Sequence, residues 1–516
     1  MSAPGTLNAP DGQDLDAGID PSTIPEGGLL KVCWRGKPVL LANDRGNICA
    51  VSGTCTHMDA PLNEGILVDG EVHCPWHHAR FSLTTGQAVG APAFGPLTRF
   101  RTTIRDGRLF VIDAPTPSPS SHPSGANARV VIVGGGAGGH ACAQYLVQAG
   151  FRGSVTIISD DPDPPYDRTV CSKQYLIGMQ SRDKSLLNDG DIYQAGAGHP
   201  TLRLGCRVQA LETAQRLLLL DDGERLPFDQ LVLAMGAEPK RPPTPGFDLP
   251  NVYVLRTLRD ADALIRAAEK AQRVAVIGAS FIGLEVAASL RQRKLEVHVV
   301  TPESIVLEKL LGPEVGRMIQ GVHEEQGVRF HFGREVRRFD GEQLALDDGT
   351  TFGADFVVLG VGVTPRTELA QAAGIRCAPE KEGGGVIVNG KLESSCPGVF
   401  AIGDIAHYPD PHSGRNIRVE HWVHAQRQGQ HVARVMLNQA RDYADVPFFW
   451  SAHFDTGLRY LGHVGKIIDC ETQGSVVERN FSRRYRGSGK EQAFVTCNRD
   501  LKSLREEANW DHAVRR

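Results

Sequence analysis

Arg129 to Leu146 reads RVVIVGGGAGGHACAQYL. Four apolar residues, Val130, Val131, Ile132 and Val133, make a short run suited to a strand buried on both faces. A G-x-G-x-x-G set follows at Gly134, Gly136 and Gly139, and the chain then reads as helix. Glycines at this spacing serve a tight turn, close approach of backbone to a pyrophosphate, and close packing of helix on strand. One such fingerprint is weak, but Arg273 to Leu290, RVAVIGASFIGLEVAASL, aligns with it without a gap. Gly278 answers Gly134, Ser280 answers Gly136, and Gly283 answers Gly139. The repeat continues downstream: Leu220 to Gly223 followed by Leu231 to Ala234 is echoed by Leu346 to Gly349 followed by Val357 to Gly360, each a turn before a buried strand. Two α/β dinucleotide-binding domains of Rossmann-like design are expected, and with them two dinucleotides.

The 516 residues suffice for three or four domains, and a net charge of −4 gives no basic footprint for nucleic acid or an anionic membrane. The first twenty residues have no basic and apolar leader pattern, and no run approaches the roughly 20 apolar residues that span a bilayer. A soluble, cytoplasmic protein is expected. Eleven scattered cysteines without a C-x-x-C argue against a secreted disulfide scaffold.

Residues 1–25 read as a disordered lead-in, rich in Gly, Pro and Asp. Short alternating stretches broken by Asp-Gly turns then mark a small all-β domain over 26–113. It contains Cys55-Thr56-His57, sixteen further residues, and Cys74-Pro75-Trp76-His77. Two thiolates and two imidazoles also suit a structural zinc. The surrounding text, CTHMDAPLNEG and HCPWHHARFSLTTGQAVGAPA, resembles the Rieske [2Fe–2S] domain. That resemblance implies Cys55 and Cys74 on one iron and His57 and His77 on the other. Ala60 and Trp76 stand where high-potential members carry an extra cysteine pair, which implies the ferredoxin-type branch near the low, roughly −150 mV end of the range. His78, where that branch usually has glycine, is either an exposed neighbour or a group that tunes the cluster. Residues 114–128, rich in Pro and Ser, read as a linker.

Past the first glycine turn, a strand ending at Ser159 offers Asp160 or Asp161 to a ribose, against the alternative of a solvated acidic turn. Pro165 to Lys173, PYDRTVCSK, and Val399 to Asp404, VFAIGD, resemble the flavoprotein ferredoxin reductases and the apoptosis-inducing-factor family. The resemblance implies FAD bound beside Arg168 and Lys173, with Asp404 on its ribityl chain. Cys171 stands alone where dithiol flavoenzymes carry a pair, so it reads as packing. GASFIGLEVAA is similar to the Rieske-bearing reductases of the apoptosis-inducing-factor-3 type, which implies that Glu285 pairs with Lys173 near the flavin and nicotinamide. These two are the catalytic candidates, as shapers of charge. Ser280 adds a side chain near the second pyrophosphate. The next strand ends at Thr301-Pro302-Glu303, where Glu303 replaces the usual acid at Thr301 and no arginine shares the turn, which favours NADH. Gly362 lies in the GVGVTP segment that closes this domain, and His421 and Trp422 open a helix whose family counterpart reaches both rings, with Trp422 either stacking on a ring or filling the core.

The expected fold is therefore a small all-β Rieske domain, then an α/β two-dinucleotide-binding flavoprotein reductase with a C-terminal α+β domain. The FAD-binding domain is expected over 129–250 and 366–445, the NAD-binding domain over 251–365 and the C-terminal domain over 446–516. Electrons are expected to run from NADH through FAD and the [2Fe–2S] cluster to an external acceptor, a ferredoxin, oxygenase or similar protein. The alternative is a redox sensor of low turnover that signals through a reduced-flavin–NAD complex. A homodimer is one arrangement compatible with the chain.

Overall fold

The computed structural model describes residues 13–113, 128–187, 192–193 and 199–515. The proline/serine-rich segment 114–128 lies outside them apart from Ala128. Strand Arg129–Val133 sits at the centre of a five-stranded parallel sheet, between Ser154–Ser159 and Gln230–Leu233, with Thr201–Leu204 and Val399–Ala401 at the edges. Its apolar residues are covered on both faces, as a parallel sheet requires. Arg273–Ile277 occupies the same place in a second parallel sheet, between Phe356–Leu359 and Glu296–Thr301, with Val252–Val254 and Arg329–Phe332 outermost. Each unit also carries a three-stranded antiparallel meander, through Leu217–Leu220 and Gln343–Leu346 respectively. The duplication read from the sequence is thus a duplication of topology.

The two turns are closed by the same contacts. Gly134 and Gly278 hold φ of 114° and 100°, and a Cβ on either would meet a carbonyl oxygen, of Ala234 at 2.2 Å or Gly360 at 2.5 Å. Gly139 and Gly283 bring helices Ala137–Gln148 and Phe281–Gln292 onto their strands. A Cβ there would lie 2.0 Å and 2.3 Å from the Gly134 and Gly278 oxygens.

The N-terminal domain pairs a six-stranded with a four-stranded sheet. The disordered lead-in expected over 1–25 does not extend to residues 13–25. Gln13–Asp14 pairs in parallel with Leu29–Trp34, Ile19 exchanges backbone hydrogen bonds with Leu109, and Leu15, Ile19 and Ile24 are buried in the domain core. Their irregular spacing among Asp, Gly and Pro follows short 3-10 turns capped by Asp14 and Asp20 and carries no helical or strand period. The C-terminal segment forms a five-stranded antiparallel sheet, from Phe448–His453 to Gln492–Cys497, and ends in helix Asp500–Arg515. No helix among the described residues is long and apolar enough to cross a membrane.

Candidate functional site

In the small domain the two cysteines and two histidines come from facing loops. The thiols of Cys55 and Cys74 are hydrogen-bonded to each other, which lowers the pKa of Cys74 and raises that of Cys55. Backbone N–H groups of His57 and Met58 point at the Cys55 sulfur, and those of Trp76 and His77 at the Cys74 sulfur, which favours thiolate. The rings of His57 and His77 stand edge to face, centroids 5.0 Å apart. Burial pushes both imidazoles below their ordinary pKa, towards the neutral form that binds metal. Two thiols beside each other and two imidazoles beside each other fit, by their chemistry, a cluster that takes two ligands of each kind.

A single cavity of about 1030 Å³ runs between the glycine turns. Gly134 and Gly136 line it from the first turn, Ser280 and Glu285 from the second, Gly362 from the closing segment, and Phe449 to Ser451 from the C-terminal sheet. Nothing stands within 4 Å of a Cβ built on Gly136, and the helix behind it has no side-chain cap, so its amides face open space. Such a cradle fits a pyrophosphate. Gly139, Gly278 and Gly283 do not line the cavity; they shape the turns beneath it.

Lys173 Nζ lies 2.7 Å from Glu285 Oε2, and Glu285 is 3 % exposed. Asp404 lines the cavity and accepts from Arg256 Nη2 at 2.6 Å. His421 and Trp422 line it at the start of helix Trp422–Met436. The His421 ring packs 4.3 Å from Phe449, and burial holds its pKa down to about 3. The two ribose candidates separate. Asp160 lines the cavity with Arg207 and Arg366 beside its carboxylate. Asp161 turns inward, accepts from the Tyr166 hydroxyl at 2.7 Å and faces Arg168 at 3.8 Å, so it supports the loop and does not line the cavity. Glu303 lies outside the cavity, its backbone N–H on Thr301 Oγ1 and its carboxylate 3.7 Å from Lys309. Arg334, from a later segment, bonds the Thr301 carbonyl through its own N–H, while its guanidinium is held by Asp348 at 2.7 Å.

The small domain is seated on this cavity. His77 packs 4.3 Å, ring to ring, from Trp450, and Trp450 lines the cavity. His78 is 1 % exposed, which rules out the exposed-neighbour reading. It stacks on Phe448 and binds Glu507, which also binds Arg427, whose guanidinium in turn donates to the His78 carbonyl. Arg80 pairs with Asp445 at 3.1 Å and Asp511 at 3.3 Å, all three buried. Gln430 and Gln148 reach the backbone of Ala91 and Phe94 at 3.0 and 2.8 Å.

Residues 128–429 match the family model of the pyridine nucleotide-disulphide oxidoreductases, and residues 19–101 that of the Rieske [2Fe-2S] domain. The chain belongs to the pyridine nucleotide-disulphide oxidoreductase family. This oxidoreductase is 32 % identical to human apoptosis-inducing factor 3 over 90 % of its own length and 78 % of that protein. It is also 32 % identical to the ferredoxin–NAD(+) reductase component of a biphenyl dioxygenase system from Paraburkholderia xenovorans, covering 68 % of this chain and 83 % of that one. The solved covalent complex of putidaredoxin reductase with putidaredoxin superposes with a TM-score of 0.70 at 29 % identity, over 75 % of this chain and 94 % of that one. The chain is therefore a ferredoxin reductase-type oxidoreductase whose cofactors are FAD, NAD(H) and a Rieske [2Fe–2S] cluster.

Sequence reasoning missed Arg256, Arg366, Phe281 and the seating residues Arg80, Arg427, Asp445 and Glu507. Phe281 and Arg80 sit inside the second glycine motif and the second cluster loop without a role of their own there, the others belong to no local motif, and each meets its partner only through the tertiary fold.

Proposed function

We propose that this oxidoreductase passes electrons from NADH, by way of FAD, to its own Rieske cluster and on to an external redox protein or oxygenase. The observation that carries the reading is the contact of His77 with Trp450, because it sets a cluster ligand against a wall of the dinucleotide cavity. Bound in this cavity, FAD would supply a carrier that takes an electron pair as hydride and gives it up singly, which matches NADH to a one-electron cluster. The overall balance is one NADH and two oxidised acceptors giving NAD+, one proton and two reduced acceptors.

The chain's own groups prepare this exchange. Amides of the Gly134 to Gly138 turn would hold the FAD pyrophosphate and Asp160 its ribose, and Asp404, oriented by Arg256, would hold the ribityl chain. Arg168, His421 and Trp422 line the flavin's surroundings. Lys173 and Glu285 fix the charge where the rings meet. Ser280 and Gly362 serve the second dinucleotide, with Gly278 and Gly283 shaping its turn; Glu303, outside the cavity, has no part in it, and the engaged guanidinium of Arg334 favours NADH. Phe281 and Phe449, rings 4.9 Å apart, keep water from the junction. The buried pairs of Arg80 and Glu507 hold the cluster domain at this junction, which favours a relay over a sensor that works without an internal acceptor.

An anaerobic titration with NADH, followed by visible absorption and low-temperature EPR on the same samples, tests the route. Flavin bleaching accompanied by a growing Rieske signal is expected, and Cys55→Ser leaves the bleaching while abolishing turnover with the acceptor. Bleached flavin beside a cluster that stays oxidised would overturn the relay.

A further inference from the structure

We infer that His453, backed by His323, fixes the hydroxyl of Ser451 and so holds the Glu285 carboxylate in place against Lys173. This inference rests on the reading of Lys173 and Glu285 given above and makes His453 a positioning residue for that pair.

Glu285 has acceptors only, and its two oxygens are claimed from three segments. Ser172 Oγ and Lys173 Nζ donate to Oε2 at 2.6 and 2.7 Å, and Ser451 Oγ donates to Oε1 at 2.7 Å. A serine hydroxyl has one hydrogen, and here the carboxylate takes it. The contact of 3.2 Å between Ser451 Oγ and His453 Nε2 therefore requires His453 to donate. His453 is fully buried, and burial keeps its pKa down to about 3, so the ring is neutral with a single N–H. Its Nδ1 must then accept, and His323 Nε2 lies 3.1 Å away to donate. His323 is neutral for the same reason. That leaves its Nδ1 as a bare lone pair, and this atom has no partner among the described residues. Every tautomer in the series is fixed in one direction, from His323 through His453 and Ser451 to Glu285.

The secondary structure places the series. Ser451 and His453 are two apart on strand Phe448–His453 and share a face, with Phe449 beside them. Trp450, on the opposite face, meets His77. His323 comes from helix Glu308–Glu325, on the second dinucleotide domain. Glu285 is thus held by a device that spans the C-terminal sheet and the second domain. A carboxylate that lost Ser451 would keep Oε2 on Ser172 and Lys173 but leave Oε1 without its donor, and its plane would be held less firmly beside the Lys173 ammonium.

The test uses full-length, cofactor-loaded His453→Leu, His453→Gln and Ser451→Ala. Single-turnover bleaching of flavin by NADH should slow about tenfold in His453→Leu and Ser451→Ala, the scale of one hydrogen bond to a charged group. The flavin midpoint potential should move in both, while KM for NADH stays within about twofold, since neither side chain is read as a dinucleotide ligand. His453→Gln carries an Nε2 donor at nearly the same reach and should restore rate and potential to within about threefold. Wild-type rate and potential in His453→Leu, or a glutamine variant as impaired as the leucine variant, would overturn the inference. If His453→Leu does not fold, Ser451→Ala decides by the same criteria. Glu285→Gln separates the two readings. No effect there removes the role of the pair itself; an effect there, with none in Ser451→Ala, removes only the positioning role.

Discussion

Gly134 to Gly139 and Gly278 to Gly283 trace the same backbone turn, yet the first leaves its helix N-terminus bare and the second caps itself. Gly136 offers no side chain and nothing crowds it. Ser280, in the equivalent place, accepts from Gly283 N–H at 3.2 Å and donates to the Gly360 carbonyl at 2.9 Å. Unpaired N–H groups at a helix start are costly unless something negative arrives to meet them. The first turn therefore depends on its dinucleotide, whereas the second is complete without one. That difference suits a resident FAD and a nicotinamide dinucleotide that enters and leaves. The helices behind the turns diverge as well: the position of His140 in the first is filled by Leu284 in the second, both fully buried.

Filling the bare turn should break the comparison most severely. Gly136 already has an extended backbone, φ −77° and ψ −164°, that valine adopts without strain, and a Cβ there has no protein atom within 4 Å, so the domain should fold. The valine side chain stands where the pyrophosphate would lie. Gly136→Val is expected to purify with less than about a tenth of wild-type FAD, the result of losing close backbone approach at a phosphate site. The ratio of flavin absorbance to protein measures it, and full FAD content would refute the cradle.

His140 gives the next effect, one of stability. Its Nδ1 lies 2.6 Å from the Tyr193 hydroxyl and its ring meets Phe94 of the small domain edge to face. Burial pushes its pKa from 6.5 down to about 3. Between those values the unfolded chain binds a proton that the folded chain refuses, so stability falls as pH drops from 6.5 towards 3. Leucine, the residue the second helix uses, removes that loss. The thermal midpoint of His140→Leu should therefore decline less than wild type between pH 7 and pH 4, by up to about 3 kcal/mol in unfolding free energy. The other buried histidines are common to both proteins, so the difference isolates this one. Parallel pH curves would mean that His140 is protonated in the fold.

How much of this was legible beforehand follows the distance over which each feature is encoded. Both glycine turns, the strands before them and the Cys55-x-His57 and Cys74-x-x-His77 loops lie within a few residues, where spacing reports geometry directly. Asp160 and Asp161 share that locality, but their side chains were sorted by Tyr166 and Arg366, one five residues away and the other 206. The seating of the cluster domain was not legible at all. His78 meets Glu507 across 429 positions, and Arg80 meets Asp445 across 365. Nothing in either segment announces its partner: His78 and Arg80 read as part of the cluster loop, and Asp445 and Glu507 as ordinary surface charges. Residues 13–25 were misread for a related reason: three apolar side chains without a period become a core strip only when the strand at Leu29–Trp34 lies under them.

The smallest effect bears on the capped turn and tests what the cap is for. Replacing Ser280 by glycine makes the second turn a copy of the first. The helix loses a side-chain cap, which for serine to glycine costs only a few tenths of a kcal/mol. In exchange the Gly283 N–H becomes available to the incoming phosphate. If the serine competes with the dinucleotide for that amide, KM for NADH should fall about two- to fivefold in Ser280→Gly, the scale of one modest hydrogen bond, and FAD content should stay as in wild type. A rise in KM would reverse the argument: the hydroxyl would then turn from Gly360 to the phosphate when the dinucleotide binds, and the cap would be a ligand held in reserve.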